Sequence, residues 1–554
     1  MKKLLRSIAC VGLAAVSALS FGACDLGREG EDEVISKDPK TINVRIIKAG
    51  HGTSYIYKLK EKFEAIYEEE GYKVNVLVPL SGLSRNDVVS SIHNNEGVDM
   101  FFVGQDIETG VAGEYGQLYA DITESVYTKK PIRFDGTEED TTVAAKIDGL
   151  QYDNMYGDKY YGLPYMFTVY AMGVNTKAMA EYPGMTIPRT SNELFACVET
   201  IMSKAMETGI FPYTYSLQNN TYPMIMFTQW MAQYAGYDEM KEFWTMQDSV
   251  TGKNLENPYE VFKSDAWTEA TKAFFRMLDY NTAAFGASTQ DFKSAQNQWM
   301  NGDAVFYSVG SWAYNEEKTR NINKLDDVTM TRVPVLSALG TKTFGTGTVY
   351  AYDDAKCERI LCAIIDGVDA NKEVATITSE VNAALNVNLQ ETDVLSVCQN
   401  VGLVTGNSDI ETAVISEKST KKDICSLFFR MCASDDGASL IAHETLTANP
   451  FKLYALSDVD SKWHQQYMNL IQNRYMKQMP RVAEGYRHQL GVTTLTPLTG
   501  DKLHTKILEY SVSIYNDYTY KKEGAYTAYY EKAEDLLTNI YTNAKNQWET
   551  GVWN

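Results

Sequence analysis

Between Thr41 and Gly104 the chain switches four times between a strand-like and a helix-like hydrophobic period, and that alternation limits the folds open to it. Ile42, Val44 and Ile46 recur every second residue, whereas Ile56, Leu59, Phe63, Ile66 and Tyr67 recur at helical spacing. VNVLV (74–78) reads as a second strand, the polar stretch carrying Val88, Val89 and Ile92 as a second helix, and VDMFFVG (98–104) as a short buried strand. Parallel strands need crossover connections, usually helices, so this β-α-β-α-β order predicts an α/β domain. Its sheet is expected to be largely parallel, with ligands near the carboxyl ends of the strands.

Farther along the texture changes. From about 189 to 330 helical patterns dominate, as in NELFACVETIMSKAM (192–206) and SDAWTEATKAFFRMLDYN (264–281), and aromatic residues are dense. Residues 420–442 place Ile424, Leu427, Phe428 and Met431 on one helical face, and the segment from 502 reads as helical and rich in tyrosine. The stretch 372–420 is polar and reads as an insertion without an assignable structure. A chain of 554 residues divides into two or three domains, each burying its own core. Past the N-terminal stretch, no segment reaches the roughly 18–20 uninterrupted apolar residues that cross a bilayer.

The N-terminus carries Lys2, Lys3 and Arg6, then an apolar run from Ile8 to Leu19, then Ser20-Phe21-Gly22-Ala23-Cys24. That is the layout of a bacterial secretion signal. It resembles the lipobox of bacterial lipoproteins, with Phe21 where the usual pattern has leucine. The resemblance implies a signal peptide over 1–23 and a lipid on Cys24 that holds an extracytoplasmic protein to the cell membrane. The alternative is an ordinary cleaved signal followed by a chance cysteine. Residues 24–40 are charged and nearly free of large apolar side chains, as suits a spacer. Removing Lys2, Lys3 and Arg6 takes the net charge from −21 to −24, which repels phosphate backbones and argues against a nucleic-acid partner.

Beyond Cys24 six cysteines remain, at 197, 357, 362, 398, 425 and 432, an even number that permits disulfides without showing any. Cys425 and Cys432 are separated by about 10.5 Å of helical rise, too far for a bridge within one straight helix, and read as buried thiols. The six histidines form no H-E-x-x-H and the cysteines no C-x-x-C, so neither a metal site nor a cofactor is expected. No G-x-S-x-G nucleophile elbow occurs, and GTKTFG (340–345) is not followed by lysine, as a P-loop requires.

Four segments in order resemble the extracellular solute-binding proteins of ABC importers, specifically family 1, whose members bind carbohydrates. They are TINVRIIKAGHG with its following helix and VDMFFVG; DKYYGLPYMFTVYAMGVNTKAM (158–179); FKSAQNQWMNGDAVFYSVGSWAYNE (292–316); and KKDICSLFFRMCASDDGASLIAHETLTANPF (421–451). The resemblance implies a two-lobe, periplasmic-binding-protein-like (type II) α/β fold, with a hinge crossed several times and the ligand between the lobes. Carried onto this chain, lobe one is 41–167 plus 346–455 and lobe two is 168–345 plus 456–554. A monomer is expected, with permease subunits and a sugar as partners.

A sugar offers hydroxyls at its rim and apolar C–H faces, so its site needs aromatic platforms beside carboxylates and amides. The chain holds 37 tyrosines and 8 tryptophans. By the resemblance, Trp312 in SVGSW is the cleft tryptophan and Asp106 the hydroxyl-binding carboxylate. Gly50, His51 and Ser54, where the first strand meets its helix, are placed to hydrogen-bond a ligand. Tyr165 and Thr168 stand at the crossover, and Asn219, Tyr222 and Trp230 on the segment facing it. Gly345 and Gly347 would let backbone approach the ligand. Each also has a structural reading: a core aromatic, a helix cap, a solvated loop residue or a turn glycine. The enzyme rival is an exported glycoside hydrolase or other glycan-processing lipoprotein, which needs two carboxylates flanking the scissile bond. With 72 acidic residues the sequence places no such pair. An adhesin would show repeats or low-complexity tracts, and none is found.

Overall fold

The computed structural model describes residues 34–47, 50–79, 84–104, 107–113, 115–147, 154–216, 221–277, 282–284, 286–287, 290–318, 320–405, 411–451, 461–479 and 525–550. The signal segment, Cys24, Asp106 and Asn219 lie outside the described residues.

The first lobe opens as its hydrophobic pattern dictates, with β1 (Thr41–Ile46), α1 (Ser54–Ile66), β2 (Lys73–Leu77), α2 (Arg85–His93) and β3 (Met100–Phe102). Every residue of β1 and β3 is buried, as in a sheet covered on both faces. β4 (Gly162–Met166) ends this part, and β5 (Tyr170–Asn175) begins the second lobe. There β6 (Phe211–Thr214), α3 (Thr221–Ala235), α4 (Asp265–Met277), α5 (Phe292–Asn301), β7 (Ala304–Gly310), the short α6 (Ala313–Glu317) and β8 (Val328–Thr331) follow. Next come α7 (Asp354–Asp369), α8 (Val374–Leu385) and α9 (Glu391–Gly402). The chain then forms β9 (Glu411–Ile415), α10 (Lys422–Cys432), α11 (Asp435–Thr445), α12 (Lys462–Ile471) and α13 (Ala525–Glu549).

Two sheets result. The first has the order β2-β1-β3-β9-β4, with β1 parallel to β2 and β3, and β9 antiparallel to both its neighbours. α1, α10 and α11 cover one face through Leu59, Phe63, Phe428, Phe429 and Ile441, while Val88 and Ile92 of α2 join Phe101 and Leu77 on the other. The second sheet has the order β8-β5-β7-β6. Met172, Val174 and Phe306 pack with α3 and α4 on one side; Ala171, Tyr307 and Val309 pack with Trp299 and with Trp463 and Tyr467 of α12 on the other.

Residues 346–455 do not all belong to lobe one as expected. Instead, Cys357, Ile360, Ile364, Val394, Val397 and Val401 share the apolar core of the second lobe with Trp230 and Phe274, and only 411–451 returns to the first sheet. The stretch 372–420, read as an insertion, consists of α8, α9 and β9, the last paired between β3 and β4. Cys425 and Cys432 are buried free thiols, and all six cysteines after Cys24 are unbridged.

Among the described residues the chain changes lobe three times: through 167–169, after Thr405, with the first sheet regained at Glu411, and after Phe451, with the second lobe regained at Ser461. These passages are tied to one another. Phe167 N–H donates to Ala448 O (2.8 Å) and Tyr170 N–H to Thr405 O (2.7 Å). Asn449 Nδ2 donates to Tyr165 O (2.9 Å). The Tyr467 hydroxyl accepts from Ala448 N–H (2.8 Å) and donates to Phe167 O.

Candidate functional site

Where β1 leaves the first sheet, the chain turns through Gly50 and His51 into α1. His51 is only 4 % exposed, with Nδ1 3.3 Å from the Thr447 hydroxyl. Burial lowers its imidazole to about 4, against the opposing hydrogen bond to the Thr445 backbone, so the ring is neutral at ordinary pH.

Facing it, β7 ends at Gly310 and the chain turns through Ser311 and Trp312 into α6. Ser311 is pinned at the crossover: its N–H donates to Val169 O (2.9 Å), and its carbonyl accepts from Trp463 Nε1 (3.2 Å). The indole of Trp312 folds back over Gly310, where an added Cβ would stand 2.0 Å from ring carbon Cζ3, so only glycine fits. Trp312 Nε1 donates to the Tyr222 hydroxyl (3.3 Å). Tyr170, Tyr222 and His51 meet the indole edge-on at 6.1, 6.4 and 6.5 Å. Tyr222 is itself held between the stacked rings of Phe292 (5.7 Å) and Tyr307 (5.8 Å).

The two lobes touch here. Asn315 Nδ2 donates to Gly50 O (3.2 Å), and a Cβ on Gly50 would lie 2.4 Å from Glu316 Oε1. Burial pushes the Glu316 carboxyl up to about 7, against the opposing hydrogen bond from Gln296. The face therefore combines aromatic rings, a neutral imidazole, an amide and a carboxyl, which suits stacking and hydrogen bonding to a polar, uncharged molecule.

The sequence-predicted residues divide. Gly50, His51, Tyr222 and Trp312 come together in this contact. Ser54 is exposed at the start of α1 and bonds Glu444. Tyr165, 1 % exposed, lies one layer below, stacked on Tyr55 (6.0 Å) with its hydroxyl donating to Glu411 Oε2 (3.1 Å). Thr168 is buried at the first passage, and its hydroxyl has no partner among the described residues. Three of these expectations are corrected. Trp230 is fully buried in the second-lobe core, its Nε1 donating to Pro334 O (2.8 Å). Gly345 ends the helix Ala338–Phe344 against the Thr341 carbonyl and bridges to Tyr352, and Gly347 is an exposed turn glycine at φ +99° with nothing packed on it.

Tyr170, Thr447, Asn315, Glu316 and Glu411 were not singled out from sequence. Tyr170 stands two residues after Thr168, and Asn315 and Glu316 close the segment that contains Trp312, so position alone pointed to them. Thr447 and Glu411 are brought in by long-range packing that no local signal announces. Among the described residues no group of His, Cys, Asp and Glu is arranged to hold a metal ion, and no helix is long and apolar enough to cross a membrane.

In sequence the chain matches no curated protein. Among solved structures it is similar to a chitin oligosaccharide binding protein (14% identity, TM-score 0.52, covering 85% of this chain and 98% of that one). It is similar to a protein from a study of xylan utilization by the thermophilic bacterium Caldanaerobius polysaccharolyticus (13%, TM-score 0.53, 85% and 99%). It is also similar to the solute-binding protein RafE in complex with raffinose (13%, TM-score 0.51, 90% and 99%). These likenesses establish the two-lobe α/β fold. The description of bacterial extracellular solute-binding proteins matches residues 58–388, more than half of the sequence. The chain belongs to the bacterial extracellular solute-binding protein family.

Proposed function

We propose that this protein captures a sugar or oligosaccharide between its lobes, outside the cytoplasm, and delivers it to the permease of an ABC importer. The observation that carries this reading is the opposition of Trp312 and His51 across the lobe contact, at 6.5 Å and 75°. The indole supplies a flat apolar face for sugar C–H groups; His51, Asn315 and the Gly50 carbonyl supply donors and acceptors for hydroxyls. The lobes part by rotation about the three passages and shut on the ligand. The structural neighbours named for chitin oligosaccharide and raffinose support a carbohydrate ligand. A lipid on Cys24 tethers the protein to the cell membrane, and the site performs no bond chemistry.

A thermal-shift panel of chitin, xylan and raffinose-type oligosaccharides tests this. At least one is expected to raise the melting temperature in a saturable way, as binding to the folded state requires, without release of reducing ends. New reducing ends would favour a glycoside hydrolase, and a panel without any stabilising glycan would sink the carbohydrate reading.

A further inference from the structure

The contact between Gly50–His51 and Trp312–Glu316 places two titratable side chains at the surface where the lobes meet, one from each lobe. Glu316 projects from α6 against the Gly50 backbone so closely that a methyl group there would overlap its Oε1, Cγ and Cδ. On its own lobe it accepts from Gln296 of α5, and the charges facing it are Arg320, Glu317 and Lys293, with the Tyr222 and Tyr307 hydroxyls nearby. Arg320 is already engaged by Glu317 and donates to Gln296 Oε1 (2.8 Å), so it is not a dedicated counter-ion for Glu316. His51 is covered by Thr447 and the Trp312 ring, and among the described residues no charged side chain contributes to its environment. The nearby charges across the contact are Glu444 of α11, bridged to Lys58, and Lys318, which acts on Glu444.

We propose that this contact is a proton-balanced latch, in which shutting the lobes makes Glu316 take up a proton from solvent while His51 gives one up. With the lobes together both groups are uncharged between about pH 4 and pH 7. When they part, water reaches both, Glu316 ionises and His51 becomes free to protonate. Part of the burial of each group comes from across the lobe contact, where the Gly50 backbone lies against the Glu316 carboxyl and the Trp312 ring meets the imidazole edge-on. Sign follows from linkage. Glu316, raised from 4.5 to about 7, opposes closure as pH rises through that interval. His51, lowered from 6.5 to about 4, opposes closure as pH falls through its own. The intervals overlap, so the two effects offset each other and closure stays nearly independent of pH. The latch rests on the two-lobed closure proposed above but not on the identity of the ligand.

Small-angle scattering of the ligand-free protein at pH 5.0 and pH 8.0 tests it, because the radius of gyration reports opening without any sugar. Glu316→Gln leaves His51 alone in control and is expected to be more open at pH 5.0 than at pH 8.0. His51→Asn leaves Glu316 alone and is expected to be more open at pH 8.0. The wild-type radius is expected to move less than either, each unbalanced group shifting the closing equilibrium about tenfold per pKa unit. Gly50→Ala, which displaces the Glu316 carboxyl from the contact, is expected to follow Glu316→Gln and serves if that variant fails to fold. Two variants that move in the same direction, or that both track the wild type, would overturn the latch. Failure of every sugar to bind would overturn the carbohydrate reading and leave the latch standing.

Discussion

Gly310→Ala asks whether the Trp312 indole must lie where it does. An alanine Cβ would stand 2.0 Å from Cζ3, 2.2 Å from Cη2 and 2.4 Å from Cε3 of that ring. Ordinary contact begins near 3.4 Å, so the ring has to retreat by about 1.4 Å. The retreat breaks the 3.3 Å hydrogen bond from Nε1 to the Tyr222 hydroxyl and tilts the ring away from His51. One neutral hydrogen bond contributes about 1 kcal/mol and one aromatic contact about 0.5–1.5 kcal/mol. Trp312 is only partly buried, so the ring swings outward instead of compressing the core, and stability falls by about 1–2 kcal/mol. A binding platform tolerates displacement of about 0.5 Å, so affinity is expected to fall tenfold or more, equivalent to about 1.4 kcal/mol. Isothermal titration with the most stabilising glycan gives the affinity, and thermal melting gives the stability. A small drop in melting temperature with a large loss of affinity is expected. Unchanged affinity beside the same drop in stability would make Trp312 a packing residue and refute the argument.

Trp230→Ala should behave in the opposite way: removing a fully buried indole costs about 3–5 kcal/mol and orphans the Pro334 carbonyl, so melting falls sharply while the folded fraction keeps its affinity. Lost affinity at unchanged stability would return Trp230 to the site. Tyr467→Phe strips the partner from Ala448 N–H and Phe167 O where two passages meet, at about 1–3 kcal/mol for each buried group left unpaired. Looser lobes and several-fold weaker glycan binding by titration are expected, and wild-type affinity would show that this knot does not set the hinge. Stability tied to His51 is fully present above its ordinary value of 6.5 and is lost as pH falls from there toward about 4. Urea melts at pH 5 and pH 7 should show a smaller acid-induced loss in His51→Asn than in the wild type; equal losses would mean that His51 is not buried as described.

The opening lobe was legible because its signals are local. Alternation at Ile42, Val44 and Ile46 and helical spacing at Leu59 and Phe63 each report burial within one element, and those residues are fully buried. The lobe boundary was not legible. α7 to α9 are ordinary amphipathic helices whose apolar faces fit either sheet, and only tertiary packing assigns Cys357, Ile364 and Val397 to the second core. The same distinction runs through the site. Gly310 and Trp312 stand two residues apart, and SVGSW drew attention through its family resemblance, whereas the packing of the indole over Gly310 is seen only in the structure. Trp230 misled because a periodic aromatic on a helix looks the same whether it faces a cleft or a core. Glu411 reaches Tyr165 across 246 positions of chain, and a contact of that range leaves no mark in a single sequence.

The most direct measurement is a crystal structure of the protein with the glycan that stabilises it most. A sugar ring lying on the Trp312 indole, with hydroxyls reaching His51 and Asn315 and contacts from both lobes, is the expected result. A glycan held by one lobe alone, or seated away from Trp312, would contradict capture between the lobes.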